Sequence, residues 1–219
     1  MNYLQLVTKL RTECGASGTS TTVVNATGEW ARLCGWIADA WLEIQEKRED
    51  WEWMRADATF NTTANVNTYT PAAAGVTSFA SWRINSFRAY LQAAGVNNEQ
   101  ILGYRDYRTF RDYYLLSSRK SIAARPTEIT VAPNKSLILG LIPNDIYVVS
   151  GEYYSLPITL ATDADIPAMP PRFHLLPVYR AMMSYGAFES ASEVYDRGEA
   201  QYKAMMHSLE VDQLPRITR

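Results

Sequence analysis

The sequence predicts an α+β protein: an antiparallel helix bundle made from N- and C-terminal helices, with an inserted antiparallel β layer. Three observations predict it. Hydrophobic residues recur at helical spacing near each end, period-two alternation with turn signals fills the middle, and a proline-rich connector separates that middle from the returning helical pattern. Each terminal helix has an apolar stripe that needs covering, so helices from the two ends pack most simply on one another. With 219 residues, 47% of them hydrophobic, the chain is long enough for a substantial core and fits one domain with a sizeable insertion. The expected organisation is a helical body over 1–50 and 172–212, a β-rich insertion over 51–171 with one short helix near 103–116, and an extended tail over 213–219.

After a cap at Asn2, the residues Tyr3, Leu6, Val7 and Leu10 fall on one helical face, and the pattern stops at "CGASGTSTT". That loop is glycine-rich, but no lysine follows its glycines and no strand precedes it, so it is a connector and not a phosphate cradle. Thr27 caps a second helix with Glu29 at its positive end, and Trp30, Leu33, Cys34, Ile37, Trp41 and Ile44 form its stripe. The opposite face, with Arg32, Asp39, Glu43 and Glu46, is a solvated or subunit-facing surface. From Trp51 onward threonine, asparagine and valine alternate in strands joined by turns. Further on, "TEITV", "SLILGLI" and "IYVVSGEYY", separated by "APNK" and "PND", predict a meander of three antiparallel strands. In "LATDADIPAMPPRF", Pro167, Pro170 and Pro171 favour extended backbone. Leu175, Leu176, Tyr179, Met182, Met183 and Gly186 then share a helical face. Ser190 with Glu193 reads as a capping box for a last helix lined by Val194, Gly198, Tyr202, Met205 and Leu209, which Pro215 forbids from continuing smoothly.

Composition narrows the function classes. A net charge of -2 and a pI near 5.8 argue against a surface built throughout to neutralise phosphates. No apolar run approaches the roughly 20 residues of a membrane helix, and the first residues lack a signal-peptide core, so the chain is expected to be made in a cytoplasm. Cys14 and Cys34 lack zinc or disulfide spacing and read as a helix-end residue and a core residue. Nucleophilic catalysis would need His174 or His207, but no "GxSxG" elbow surrounds any serine, and both histidines sit where helix ends explain them. Asp163 and Asp165 in "TDADIP" lack the glycine and distant glutamate of a calcium loop and read as turn residues. The expectation is no catalytic residue, no cofactor and no metal.

The stretch "GYRDYRTFRDYY" sets aromatics beside arginines. On a helix, Tyr104, Tyr107, Phe110 and Tyr113 wind around half of the surface with Arg105, Arg108 and Arg111 alongside them. A helix lying on the sheet with its arginine edge towards a partner accommodates both sets, which makes Tyr104, Arg105, Tyr107, Arg108 and Arg111 candidate interface residues. The alternative is a sequence-tolerant DNA-binding module using the Arg105–Arg111 helix, against which Asp106 and Asp112 interrupt the positive field. At the chain's end, Leu214, Pro215, Arg216, Ile217 and Arg219 belong to a segment with too little to fold alone, which is expected to be disordered in isolation.

Taken in their order and spacing, five segments resemble the head-to-tail adaptor proteins of tailed bacteriophages. They are "MNYLQLVTKLRTECG", "TGEWARLCGWIADAWLEIQEKREDWEWMR", "YRDYRTFRDYY", "SLILGLIPNDIYVVSGEYY" and "DADIPAMPPRFHLLPVYRAMMSYGAF", which are spread along the chain from Met1 to Phe188. The resemblance implies a structural virion protein without an active site, located at the head–tail junction. It further implies a homo-oligomeric ring, dodecameric to match the portal, with partners in the portal protein and a tail or nozzle protein, double-stranded DNA as passing cargo, and a C-terminal tail from Leu214 to Arg219 that orders against the portal or a neighbouring subunit on assembly.

Overall fold

The computed structural model describes residues 1–17 and 21–214. It divides into two compact units, Met1–Met54 with the chain from Pro157 onward, and Arg55–Leu156. The fold is α+β, as expected, with the four long helices in the first unit and the sheets in the second. Residues 157–171, expected with the β-rich insertion, fall in the helical unit, as does Trp51, which is fully buried and donates from its indole to the Ile44 carbonyl at 3.0 Å.

The helical unit contains α1 (Tyr3–Cys14), α2 (Gly28–Glu46), α4 (Leu176–Phe188) and α5 (Ser192–Gln213). Asn2 caps α1 in a full capping box: its side chain accepts from the Gln5 amide at 2.9 Å, and the Gln5 side chain accepts from the Asn2 amide at 3.0 Å. Gly15 ends the helix at φ 65°, in the left-handed region that suits glycine. The anticipated stripe of α2 is buried from Trp30 to Ile44. Thr27 occupies its N-cap position without a side-chain cap bond. The capping box expected from Ser190 and Glu193 does not form. Ser190 is left-handed at φ 56° and Ala191 is the N-cap, because the Ala191 amide turns back to the Gly186 carbonyl at 2.8 Å and folds α4 tightly into α5.

The connector before α4 is pinned to this unit by hydrogen bonds. Gln45 bridges the Ile158 backbone twice, at 3.1 and 3.0 Å. Asp163 accepts from the Val23 amide at 2.6 Å, and the Tyr3 amide donates to the Asp165 carbonyl at 2.7 Å. An irregular segment of this kind stays ordered because its polar backbone finds partners other than water.

The β unit is two sheets and not a single layer. One contains β1 (Arg55–Asn61), β3 (Phe79–Trp82), β4 (Arg88–Leu91), β5 (Gln100–Ile101) and β9 (Tyr147–Ser155); the other contains β2 (Thr68–Tyr69), β6 (Gly103–Tyr104), β7 (Glu128–Val131) and β8 (Leu137–Gly140). Pairing is antiparallel except between β6 and β7, which are parallel. Phe60, Ala89 and Val149 of the first sheet share one core with Tyr69, Ile129, Leu137 and Leu139 of the second, so the sheets face each other as a sandwich.

The expected meander holds only for β7 and β8, which pair from Glu128↔Gly140 to Val131↔Leu137. β9 belongs to the other sheet, between β1 on one side and β3 and β4 on the other. The chain leaves β8 at Leu141, left-handed at φ 64°, and Pro143 follows with no amide hydrogen to extend a ladder. Both edges of β8 are already occupied, by β2 and β7.

Candidate functional site

The described residues offer surfaces and no assembled reaction centre. His174 is buried: its Nδ1 accepts from the Met1 ammonium at 2.5 Å and its Nε2 lies 3.0 Å from the Met169 carbonyl. Burial pushes its pKa below the ordinary 6.5, with the neighbouring N-terminal charge acting the same way. His207 instead lines an open groove of about 510 Å³ with Arg172, Phe173, Ser208, Val211 and Asp212, where Arg172 pairs with Asp212. Asp165 accepts from the Ala161 and Thr162 amides and the Thr162 hydroxyl, which holds its carboxyl below the usual range. Burial raises the Cys14 thiol to about 12 and the Cys34 thiol to about 11, so neither is a ready thiolate. Among the described residues no group of three or more His, Cys, Asp or Glu side chains is placed to hold a metal ion.

The arginine–aromatic band is built differently from the continuous helix its spacing predicts. Gly103–Tyr104 is strand β6, and Asp106 caps a single turn, α3 (Tyr107–Phe110), by accepting from the Arg108 amide at 3.0 Å. The next turn, Arg111–Leu115, widens to π geometry. The wider turn puts both Phe110 and Tyr114 on the outer face of the second sheet, packed with Ala132 and Ile138. The band therefore does lie on the sheet, and β8 is buried on both faces.

Its arginines part company. Arg105 makes a bidentate pair with Glu128, at 2.7 and 2.6 Å, which holds the Glu128 carboxyl below the ordinary carboxylate range. Arg105 and Arg119 both stack on the Tyr113 ring, at 4.8 and 4.2 Å. Arg111 pairs with its neighbour Asp112 at 2.9 Å. Arg108 is exposed and has no ion pair among the described residues. Tyr104 and Tyr107 are half-buried. Glu128 and Asp112 neutralise Arg105 and Arg111, which breaks up the positive field and counts against the DNA-binding alternative.

A second aromatic patch escaped the sequence reading because its members come from opposite ends of the chain. Trp36 of α2 meets Tyr185 and Phe188 of α4 at 6.0 and 5.7 Å between ring centroids, and Arg32 caps the Phe188 ring at 4.6 Å. Phe188 is 54% exposed. Tryptophan, tyrosine and arginine in one solvent-facing cluster is the composition of interface anchors. Of the expected C-terminal contact residues, Leu214 follows α5, while Pro215, Arg216, Ile217 and Arg219 lie outside the described residues.

Among the described residues no helix is long and apolar enough to cross a membrane. The family model of the SU10 adaptor protein matches residues 1–219. No curated protein matches the chain. The chain belongs to the SU10 adaptor protein family, a family of phage head-to-tail adaptors.

Proposed function

We propose that, as an SU10-family adaptor, this chain is a structural component of the virion at the head–tail junction. It forms a dodecameric ring below the portal, joins the portal to a tail or nozzle protein, and leaves a channel through which the genome passes. The observation that carries this is the family match over residues 1–219. The surfaces support it: a ring needs heterologous contacts, hence two different adhesive patches per subunit. The partly exposed Trp36–Phe188 cluster and the band around Tyr107, Arg108 and Arg111 supply them, with Tyr104 and Arg105 fixing the band to its sheet. A net charge of -2 suits a channel that must let DNA slide, since tight phosphate contacts would hold it back.

In this function no reaction is catalysed, and the buried His174 and the backbone-bound Asp163 and Asp165 serve packing and turns. The tail from Leu214 onward docks on the portal or a neighbouring subunit, so its removal weakens portal binding without unfolding the monomer. Quantitative mass spectrometry of purified particles tests the assignment. The chain is expected at a fixed ratio to the portal protein, and its absence from tailed particles would refute it.

A further inference from the structure

The β unit treats the edges of its sheets unequally. At β3 the register slips between Phe79 and Ser81, and the Lys135 ammonium donates to the Ala80 carbonyl at 3.3 Å. A bulge and a lysine are what discourage further strand pairing. On another side, Gln100–Ile101 of one sheet runs on through buried Leu102 into Gly103–Tyr104 of the other, which closes the sandwich there. Strand β1 has none of these protections. Its seven residues, RADATFN, pair with β9 without a slip and contain neither proline nor lysine.

The phase of the ladder identifies what is left over. The Thr62 amide donates to the Tyr147 carbonyl at 2.8 Å, and antiparallel pairs exchange bonds at every second residue, so Phe60, Ala58 and Ala56 face β9. The other side of β9 bonds in the complementary phase, through Gln92 to Ile146 at 3.0 Å and Arg83 to Glu152 at 2.9 Å. The backbone N–H and C=O groups of Arg55, Asp57, Thr59 and Asn61 therefore point out of the sheet. Among the described residues nothing bonds them, and all four side chains are exposed.

We propose that β1 is a strand-addition site, completed in the particle by an extended segment of a different polypeptide with apolar residues at alternate positions. Such a segment sets its apolar side chains on the core face beside half-buried Ala56 and buried Phe60, and its polar ones beside Asp57 and Thr59. That the occupant is a different chain rests on the ring assignment. Pairing of β1 with β1 of a second copy makes a closed two-fold unit that cannot propagate around a ring. The other edge strands among the described residues, β2, β3, β5 and β6, are two to four residues long, so the described part of a neighbouring copy offers no edge strand of matching length.

Proline at position 59 tests this, because it removes only an outward-facing amide and leaves the bonds to β9 in place. Thr59→Pro is expected to fold, with a circular-dichroism spectrum and melting temperature close to wild type, whereas Ala58→Pro, facing β9, is expected to unfold the sheet. In an infection supplied with Thr59→Pro, tailed particles are expected to fall at least roughly tenfold, the loss that one hydrogen bond of about 1.4 kcal/mol produces. A photo-crosslinker at Asp57 in purified wild-type particles is expected to capture a different virion polypeptide, and hydrogen exchange over 55–61 to be slower in particles than in the isolated chain. Wild-type particle yield from Thr59→Pro, unchanged exchange over 55–61, or crosslinks only between copies of this chain would overturn the proposal. Failure of the ring assignment is read separately, as wild-type chain that gains no mass on mixing with portal protein.

Discussion

A β-carbon added at Gly186 would sit 2.7 Å from the Tyr195 amide nitrogen, and one at Gly198 would sit 2.9 Å from the Tyr179 carbonyl oxygen. In the β unit, one added at Gly151 would sit 2.4 Å from the Phe87 ring, and one at Gly140 would sit 2.9 Å from the Tyr114 ring. Both units use glycine for close approach, but what approaches differs. In the helical unit, backbone meets backbone where α4 and α5 cross, and neither side has a rotamer to change. In the β unit an aromatic ring lies over the strand, and a ring has some freedom to tilt. The helical unit is thus expected to be the less forgiving frame, and the β unit the one that repacks.

The comparison is most directly broken at these glycines. Gly186→Ala and Gly198→Ala are each expected to destabilise by about 3 kcal/mol, the upper part of the usual overpacking range, in urea denaturation. Gly151→Ala is expected to cost about 2 kcal/mol, because Phe87 is buried at 1% exposure and must shift. The smaller ring-free side chain of Phe87→Leu should make the double variant less unstable than the sum of the two single changes. Equal costs at all three glycines, or strict additivity at Gly151 and Phe87, would erase the distinction.

Acid separates the units next. His174 has its folded pKa depressed by burial, so the stability it permits is fully present above 6.5, its ordinary value, and falls as pH drops from there through the folded pKa. Glu128, depressed by Arg105, follows the same sign from its ordinary value of 4.5 downward. On acidification the helical unit is therefore expected to loosen first. Hydrogen exchange resolved along the chain, followed from pH 7 to pH 4, should show α4 opening before β7. His174→Gln should remove the step that begins near 6.5.

The smallest expected effect is at the surface. Arg108→Ala should change stability by no more than about 0.5 kcal/mol, as an exposed side chain without an ion pair among the described residues, yet lower the yield of assembled junctions. Unchanged assembly would remove the band from the interface.

The two units also differ in how much of them the sequence exposed. Periodicity is a local signal, so α1 and α2 appeared with their buried faces, Leu6 to Leu10 and Trp30 to Ile44. The start of α5 misled, because Ser190 and Glu193 have the spacing of a cap while the tight turn from Gly186 to Ala191 moves the N-cap one residue on. In the β unit β7, β8 and β9 were legible as strands but their neighbours were not, and Gly103–Tyr104, read as helix, is strand β6. "SLILGLIPNDIYVV" looks like a hairpin, and only the occupation of both β8 edges sends β9 to the other sheet. The band shows the same limit. Its aromatics and arginines were visible, but the Glu128 that claims Arg105 lies 23 residues away, and no local pattern names it.

We propose that this chain's adhesive surfaces assemble copies of it on a portal. Light scattering of the purified 24.7 kDa chain, alone and mixed with portal protein, measures this directly. The portal complex is expected to gain the mass of about twelve chains, in line with a ring in which each subunit makes heterologous contacts with its neighbours. A portal whose mass does not change in the presence of excess chain would contradict it.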